Sequence, residues 1–312
     1  MPLSMRVFVI GIGGQLGNKL AGYAWSDGFE VYGGHMSRSW SEGLHHSVPF
    51  DKTDKDSVSK TLSGLRPDIV IDTGALHNVD YCETHPDESM AVNATGTLNV
   101  AEACAREGSR LVFVSTDFVF DGKGAPYTEE ANPNPLSVYA RSKLLGERNT
   151  LANRANVVVR PSVIYSWVQA SKMHQASASG KPLNFAAWLV SQLNVRKPVD
   201  IVNDQVASPT LADDLAHAIL AIIKSGRTGL FHTAGVTPLS RYEFSVRIAR
   251  RLGLDESLVH AIPSSKLKQA AKRPSNSSLI SDRIRRETGH TMMSIDQALD
   301  SFASEAKKEL AS

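Results

Sequence analysis

The sequence predicts an α/β protein in which a doubly wound parallel sheet carries a smaller C-terminal lobe. Short apolar strands alternate with helical patterns through the first half of the chain. A glycine-rich turn directly follows the first strand, and the alternation stops after Tyr165. Continuous apolar strands separated by helices are typical of a parallel sheet that is covered on both faces.

Five apolar segments predict the strands of this sheet, and the segments between them predict its helices. The strands are MRVFVI, FEVYGG, PDIVID, RLVFVST and NVVVRPSVIY. One helix follows the glycine turn, one covers DSVSKTLSGL, one begins at PDESM and one spans about 137–152. Gly28 and Gly108 follow two of these helices, and glycine is enriched at helix C-termini.

The second half of the chain predicts two separate parts. The segment SWVQASKMHQASASGKP is polar and aperiodic, which indicates a long surface loop. PVDIVNDQ and ADDLAHAILAIIKSG resemble one further strand and helix of the sheet. We therefore expect residues 1–165 plus 198–227 to form the sheet domain, and residues 166–197 plus 228–312 to form the second lobe.

Composition excludes several classes of protein. The 312 residues carry a formal net charge of +2 and contain no dense Lys/Arg run with interleaved aromatics, so a nucleic-acid partner is not indicated. The longest aliphatic stretch, LAHAILAII, is too short to span a membrane. The two cysteines, Cys82 and Cys104, match no metal or redox spacing, which favours reduced thiols and a cytoplasmic location.

The glycine turn predicts a dinucleotide site in a Rossmann-like domain. Gly11, Gly14 and Gly17 lie at three-residue spacing between the first strand and the first helix, with Gln15 and Leu16 inside the turn. In such a turn the first glycine permits the tight bend, the second admits a pyrophosphate and the third allows close packing of helix on strand. The helix N-terminus then offers N–H groups to the phosphates.

The end of the second strand favours NADP(H) over NAD(H). An acidic residue here usually holds the ribose 2′-hydroxyl of NAD. VYGGHMSRS has no acid and instead offers Ser37 and Arg38, which suit a 2′-phosphate. The alternative is that Arg38 is only solvated.

Thr116, Tyr139 and Lys143 predict the catalytic chemistry. YARSK places Tyr139 and Lys143 four residues apart, on one face of a helix. STD closes the preceding strand at the ligand-binding end of the sheet, so Thr116 would lie near them. Reduction of a ketone by hydride requires a proton donor. We expect a lysine ammonium to lower the pKa of the phenol, and a threonine hydroxyl to hold the substrate oxygen.

With these residues the chain resembles an extended short-chain dehydrogenase/reductase, and more closely the dTDP-4-dehydrorhamnose reductase family. The resemblance rests on GQLG, RPDIVIDTGA, VNATGTLNVAEA, STDFVFDGKGAPYTEE, NPLSVYARSKLLGE, DQVASPTLADDLA and KRPSNSSL. It implies a nucleotide-sugar substrate, an NADP-binding sheet domain and a substrate-binding second lobe. It also implies the triad roles of Tyr139 as proton donor, Lys143 as its partner on the nicotinamide ribose, and Thr116.

The resemblance further implies binding roles outside the triad. Gly74 and Ala75 would line the cofactor and Asp51 its adenine side. Four residues would lie near the sugar nucleotide: Asn184, Phe185, Arg273 and Asn276. The chain departs from the family at Ser166, where the family has glycine, and in a longer gap before Asn184.

Two interpretations stay open beside reduction of a 4-keto-deoxysugar. One is a reductase or epimerase of another nucleotide sugar, and the other is a non-catalytic NADP-binding subunit like the β subunit of methionine adenosyltransferase. A homodimer is compatible with each. The cluster His77, Asp80, Cys82 and His85 matches no standard zinc spacing, so no metal site is predicted. Some members of the family use Mg²⁺, but the sequence offers no carboxylate cluster to which it can be assigned.

Overall fold

A computed structural model of the chain describes residues 4–36, 46–167 and 184–310, with the side chains of 46 and 308–310 left aside. The strands in chain order are β1 (Arg6–Ile10), β2 (Glu30–His35), β3 (His46–Pro49), β4 (Ile69–Asp72), β5 (Arg110–Val114), β6 (Val157–Arg160), β7 (Ile164–Tyr165), β8 (Val199–Val202), β9 (Val206–Ala207), β10 (Thr210–Leu211), β11 (Gly229–His232), β12 (Leu239–Ser240) and β13 (Val259–Ile262).

The helices of the described residues are α1 (Gln15–Ser26), α2 (Lys55–Leu65), α3 (Val79–Thr84), α4 (Pro86–Met90), α5 (Gly96–Glu107), α6 (Val138–Leu151), α7 (Phe185–Asn194), α8 (Ala212–Lys224), α9 (Arg241–Leu252), α10 (Asp282–Thr288) and α11 (Ile295–Leu310). A π-helical turn, Ala91–Thr95, joins α4 to α5. None of the helices in the described ranges combines the length and the apolar content needed to cross a bilayer.

Seven strands form one parallel sheet in the order β11-β6-β5-β4-β1-β2-β3, which confirms the predicted doubly wound architecture. The order reverses between β1 and β4, because the chain runs from β1 towards β3 on one side and from β4 towards β11 on the other. Ligands of open α/β sheets bind at the carboxyl ends of the strands at such a reversal.

Each face of the central sheet has its own apolar core. On one face, buried side chains of β1 and β4, including Val7 and Ile71, pack with α1 and α8. On the other face, Phe8 and Val70 pack with α2 and α5. The strands are buried on both faces, which is why they read as continuous apolar runs in the sequence.

The smaller lobe has a third core, built from helices α7, α9 and α11 around β8 and β13. Tyr165, Phe244 and Phe302 meet edge to face at its centre, with ring centroids 4.9 and 5.7 Å from Tyr165. Tyr165 is the last residue of β7, which pairs with β10 outside the seven-stranded sheet.

Two strands join a different sheet from the one to which the predicted domain bounds assign them. Strand β8, assigned to the central sheet within 198–227, pairs instead with β13 of the smaller lobe. Strand β11, assigned to the second lobe within 228–312, pairs with β6 at the edge of the central sheet. Helix α8 packs against α1 of the large domain, as expected. A short apolar strand carries no local information about which sheet it joins.

Candidate active site

A cavity of about 740 Å³ opens at the carboxyl ends of β1, β4 and β5, between the central sheet and the smaller lobe. Its volume is in the range of roughly 300–1,000 Å³ typical of small-molecule sites. The described residues that line it are Gly14, Gln15, Leu16, Gly17, Thr73, Ala75, His77, Val79, Val114, Ser115, Thr116, Asp117, Phe118, Tyr139, Lys143, Pro161, Val163, Ile164, Asn184, Phe185, Trp188 and Arg241.

The glycine turn forms one wall of the cavity. Gly11 has a φ of +79°, a left-handed conformation that favours glycine. The N–H of Gly14 donates to the Gly11 carbonyl oxygen at 2.9 Å. A Cβ on Gly17 would overlap that same carbonyl oxygen, so the third glycine allows helix α1 to start directly against the turn.

Helix α1 presents its N-terminus to the cavity without a side-chain cap. Gly14 is the N-cap residue, and the first turn contains no acidic residue. A Cβ on Gly14 would approach the Gly11 carbonyl oxygen at 3.2 Å and no other atom within 4 Å. The packing of the fold therefore does not by itself require glycine at this position. The open N–H groups and the positive end of the helix dipole suit phosphate oxygens.

Ser166 connects the smaller lobe to the glycine turn. The Gln15 side chain donates to the Ile164 carbonyl oxygen at 3.4 Å, and the Ser166 hydroxyl donates to Gln15 Oε1 at 3.0 Å. Ser166 is buried and its carbonyl oxygen accepts a hydrogen bond from Asn184 Nδ2 at 3.1 Å. The serine that departs from the family pattern therefore links Gln15 of the glycine turn to Asn184 at the start of α7.

The predicted triad is brought together in this cavity. Thr116 follows β5, and its Oγ1 accepts a hydrogen bond from the Phe118 N–H at 3.2 Å. Tyr139 and Lys143 lie one turn apart on α6, whose N-cap residue Ser137 accepts from the Ala140 N–H. The exposed fractions are 7% for Thr116, 9% for Tyr139 and 2% for Lys143, so burial dominates their electrostatics.

Burial lowers the pKa of Lys143 to about 7, and the positive charge of Lys52 lowers it further, whereas Asp72 and Glu147 oppose the shift. The amine donates to the Val114 carbonyl oxygen at 2.6 Å and lies 3.9 Å from the centroid of the Phe113 ring. A lysine in this position changes its charge near neutral pH.

Burial raises the pKa of the Tyr139 phenol well above its usual value, and a hydrogen bond with Thr116 only partly opposes the shift. The expectation that Lys143 lowers the pKa of this phenol is therefore wrong for the structure. The reason is that both groups are removed from water, which penalises phenolate and ammonium alike. Tyr139 is protonated at neutral pH, and this is the form that can give a proton to an oxyanion.

Asp117 is a buried carboxylate beside the triad that the sequence analysis did not single out. It accepts hydrogen bonds from Thr116 Oγ1 at 3.1 Å, Ser162 Oγ at 2.8 Å and Ser277 Oγ at 2.5 Å. Burial raises the pKa of Asp117, and the serine hydroxyls oppose the shift. Its contact with Thr116 fixes the orientation of that hydroxyl.

Asn184 and Phe185, which are predicted to lie near the sugar nucleotide, both line the cavity. Asn184 is the N-cap residue of α7 and accepts from the Ala187 N–H at 2.8 Å. The guanidinium of Arg241 lies 4.9 Å from the centroid of the Phe185 ring and also lines the cavity. Arg241 was missed because one arginine at the start of a helix forms no local sequence pattern.

Several predicted residues are not among the described residues of the cavity wall. Arg273 makes a two-point ion pair with Asp80, with N–O distances of 3.1 and 2.7 Å. Asn276 accepts from its neighbour Ser278. The other absent residues are Gly11, which shapes the turn from behind, Asp51, which accepts from Thr53, and Gly74, whose carbonyl oxygen accepts from Lys52. Ser37 and Arg38 lie outside the described residues. The binding roles of these residues stay predictions.

The His77 to His85 segment is organised by contacts other than a metal. Asp80 pairs with Arg273, the Cys82 thiol is buried, and the His85 ring stacks on Tyr81 at 3.9 Å. Within residues 4–36, 46–167 and 184–310, no group of three or more His, Cys, Asp or Glu side chains is arranged to hold a metal ion.

The family described as RmlD substrate binding domain matches residues 5–308. The chain belongs to this family. A dTDP-4-dehydrorhamnose reductase of Mycobacterium tuberculosis (strain CDC 1551 / Oshkosh) is 35% identical over 285 residues, which cover 89% of this chain and 86% of the relative.

Solved structures of related reductases share the fold. A dTDP-4-dehydrorhamnose reductase from Bacillus anthracis str. Ames in complex with NADP matches with a TM-score of 0.84 and 27% identity, over 97% of this chain and all of the other. A hypothetical dTDP-4-dehydrorhamnose reductase from Sulfolobus tokodaii matches with a TM-score of 0.80 and 31% identity, over 94% and 98% of the two chains. The predicted resemblance to the dTDP-4-dehydrorhamnose reductase family is thus confirmed along nearly the whole chain.

Proposed function

We propose that the protein reduces the 4-keto group of a nucleotide-diphosphate deoxysugar with NADPH. The observation that carries this proposal is the convergence of Thr116, Tyr139 and Lys143 with the open N-terminus of α1 in one cavity. Membership of a family with dTDP-4-dehydrorhamnose reductases as relatives supports the same reaction. The enzyme class is that of NAD(P)-dependent oxidoreductases.

The glycine turn would hold the pyrophosphate of the dinucleotide against the first turn of α1. The fit rests on Gly14, which has no side chain at the cavity wall and leaves the helix N-terminus uncapped. When bound, the nicotinamide would supply the hydride for the carbonyl carbon. Lys143 would contact the nicotinamide ribose from α6, on the same side of the cavity as Val114.

Tyr139 would give its proton to the carbonyl oxygen as that oxygen becomes negative. Its raised pKa keeps the phenol protonated until the oxyanion forms. Thr116 would turn its single hydroxyl proton from Asp117 to the same oxygen and so hold that oxygen against the phenol. Lys143 would then offset the charge left on Tyr139. General acid catalysis of this kind contributes roughly 10²–10⁴-fold to the rate.

NADP(H) is proposed in preference to NAD(H). The support is the absence of an acid after β2 and the presence of Ser37 and Arg38 in the sequence there. A relative of known structure binds NADP. We also propose a cytoplasmic location, supported by two free, buried thiols. A homodimer remains a prediction, and Mg²⁺ has no assigned ligands among the described residues.

The direct test measures NADPH oxidation when dTDP-4-keto-6-deoxymannose is added to the purified protein. We expect turnover by the wild type, a loss of at least about 100-fold in Tyr139→Phe, and unchanged turnover in the control Tyr81→Phe, whose hydroxyl contacts Glu88 away from the cavity wall. Turnover only with another keto-sugar nucleotide would favour the first alternative. Tight NADPH binding without turnover on any keto-sugar nucleotide would favour the regulatory alternative.

A further inference from the structure

Arg241 is a partly buried cation, and the described residues do not fully neutralise its charge. Its Nη1 atom is buried and has no hydrogen-bond partner among them. Burial lowers the pKa of Arg241 to about 10, and the negative charge of Asp117 opposes this shift. A buried guanidinium N–H without an acceptor lowers the free energy of unfolding. We therefore expect this arrangement to have a function that compensates for the loss.

Asp117 does not fully neutralise the positive charge of Arg241. Its carboxylate oxygens are already engaged by the hydroxyls of Thr116, Ser162 and Ser277. Asp117 moderates the electrostatic cost of burying Arg241, but Nη1 has no acceptor within residues 4–36, 46–167 and 184–310. An acceptor supplied by a ligand would complete the site.

The position of Arg241 in its helix also favours an anion supplied by a ligand. It is the first residue of α9, where a positive charge opposes the helix dipole. The N-terminus of α9 is closed by a capping box between Ser240 and Glu243, so its own N–H groups do not form an anion site. The guanidinium is thus the anion-binding group that α9 contributes to the cavity.

The surroundings of Arg241 define where the anion would sit. The guanidinium lies over the ring of Phe185, the first residue of α7, and both residues line the cavity. The first turn of α7 contains no acidic residue and adds the positive end of a second helix dipole. Lys143 also lines the described cavity wall, where the proposed function assigns it to the nicotinamide ribose.

We infer that Arg241, whose guanidinium lies 4.9 Å from the Phe185 ring centroid beside the first turn of α7, binds a phosphoryl oxygen of the substrate's diphosphate. The inference rests on the proposed function and names a phosphate-binding residue of the same site. Arg273, which is predicted to lie near the sugar nucleotide, is already paired with Asp80. Arg presents a planar fork of donors that matches phosphoryl oxygens, which Lys cannot reproduce.

The test measures binding of dTDP, UDP, GDP and ADP to the NADPH-loaded protein by calorimetry, with NADPH affinity and thermal unfolding measured alongside. We expect Arg241→Gln to weaken dTDP binding at least tenfold and Arg241→Lys to weaken it less, with NADPH affinity unchanged in both. Arg247→Gln is the matched control, since Arg247 lies on the same helix, is 41% exposed and pairs with Asp296. If Arg241→Gln does not fold, Arg241→Lys decides the test through the ratio of dTDP to NADPH affinity.

Equal dTDP affinity in the wild type and the Arg241 variants would overturn the inference. So would a parallel loss of NADPH and dTDP binding, which indicates a structural role through Asp117, or a wild type that binds none of the four nucleotides. Keto-sugar reduction is measured separately. Reduction with dTDP affinity indifferent to Arg241 would contradict only this inference, whereas dTDP binding through Arg241 without any reduction would contradict only the proposed function.

Discussion

The amine of Lys143 lies 3.9 Å from the centroid of the Phe113 ring, inside the cavity and almost completely shielded from water. An aromatic face stabilises a cation less than water does, and burial remains the dominant influence on this amine. The pKa of Lys143 is consequently lowered to about 7. Tyr139, one turn away, has its pKa raised by the same burial.

The pH dependence of reduction should follow from this pair. We expect kcat/KM to be greatest below a pH of about 7 and to fall as the pH rises past it, because Lys143 loses the first proton of the pair. The apparent value belongs to the coupled Tyr139–Lys143 pair. Lys143→Met should abolish most turnover, whereas Lys224→Met, at an exposed lysine paired with Asp27, should not. A wild-type profile that stays level well into the alkaline range would contradict this assignment.

Replacing Gly14 should weaken dinucleotide binding, and replacing Gly17 should destabilise the fold. In Gly14→Ala the Cβ meets only one carbonyl oxygen, at 3.2 Å, so we expect near-normal stability but NADPH binding at least tenfold weaker. In Gly17→Ala the Cβ overlaps backbone, and we expect a loss of about 1–3 kcal/mol in the free energy of unfolding. Gly22→Ala, in the same helix with no described atom within 4 Å of its Cβ, is the control. The measurements are urea unfolding and NADPH titration, and normal NADPH affinity in Gly14→Ala would rule out the proposed phosphate contact.

The buried ion pair between Glu147 and Arg160 should support both the fold and Thr116. Glu147 accepts from Arg160 Nε at 2.8 Å, Arg160 Nη2 at 2.6 Å and Ser115 Oγ at 2.5 Å. Glu147→Gln leaves a buried guanidinium unpaired, which costs about 3–5 kcal/mol. It also frees Ser115, the neighbour of Thr116, so turnover should fall.

The matched control for Glu147 is an exposed pair on the same chain. Asp255→Asn breaks the contact with Arg196, whose side chain is 79% exposed, and should cost less than about 1 kcal/mol. Chemical denaturation of both variants measures the difference. Equal losses in the two variants would show that burial does not set the strength of the Glu147 pair.

His232 should make the free energy of unfolding decrease at acidic pH. Burial, with the positive charge of Arg160, lowers the pKa of His232 to about 3, so the folded protein holds this imidazole neutral. The unfolded chain takes up the proton near pH 6.5, the usual value. The stability that comes from the neutral form is therefore complete above about pH 6.5 and declines as the pH falls towards 3, by up to about 1.4 kcal/mol per pH unit.

The measurement is the free energy of unfolding across that acid range in His232→Gln, with His260→Gln as the control because the His260 side chain is 54% exposed. The His232 variant should show a shallower acid slope than the wild type, and the His260 variant should not. Identical slopes in wild type and His232→Gln would mean that this imidazole is not kept neutral by the fold.

The sequence was sufficient for five of the seven strands of the sheet and for the proximity of the three triad residues. Apolar runs between helices predicted β1, β2, β4, β5 and β6, because parallel strands buried on both faces have no polar positions. The triad was predictable because the i,i+4 spacing of Tyr139 and Lys143 and the strand-end position of Thr116 are local patterns. Family resemblance placed Asn184 and Phe185 correctly at the cavity.

The features of the fold and the site that the sequence did not predict depend on contacts between residues far apart in the chain. The short strand β3 and the pairing of β8 with β13 follow from tertiary packing that no local window contains. The raised pKa of Tyr139 follows from burial by several elements, not from its distance to Lys143 in the sequence. Arg241 and Asp117 become site residues only when α9 and the turn after β5 meet at the cavity.

The central claim is that hydride passes from the nicotinamide to the sugar carbonyl while Tyr139 gives the proton. Its most direct test is reduction of dTDP-4-keto-6-deoxymannose with NADPH deuterated at the transferred position, followed by mass and NMR analysis of the product. We expect one deuterium at C4 of the sugar with the wild type and almost none with Tyr139→Phe. NADPH bound tightly by the wild type, with no deuterium reaching the sugar, would contradict it.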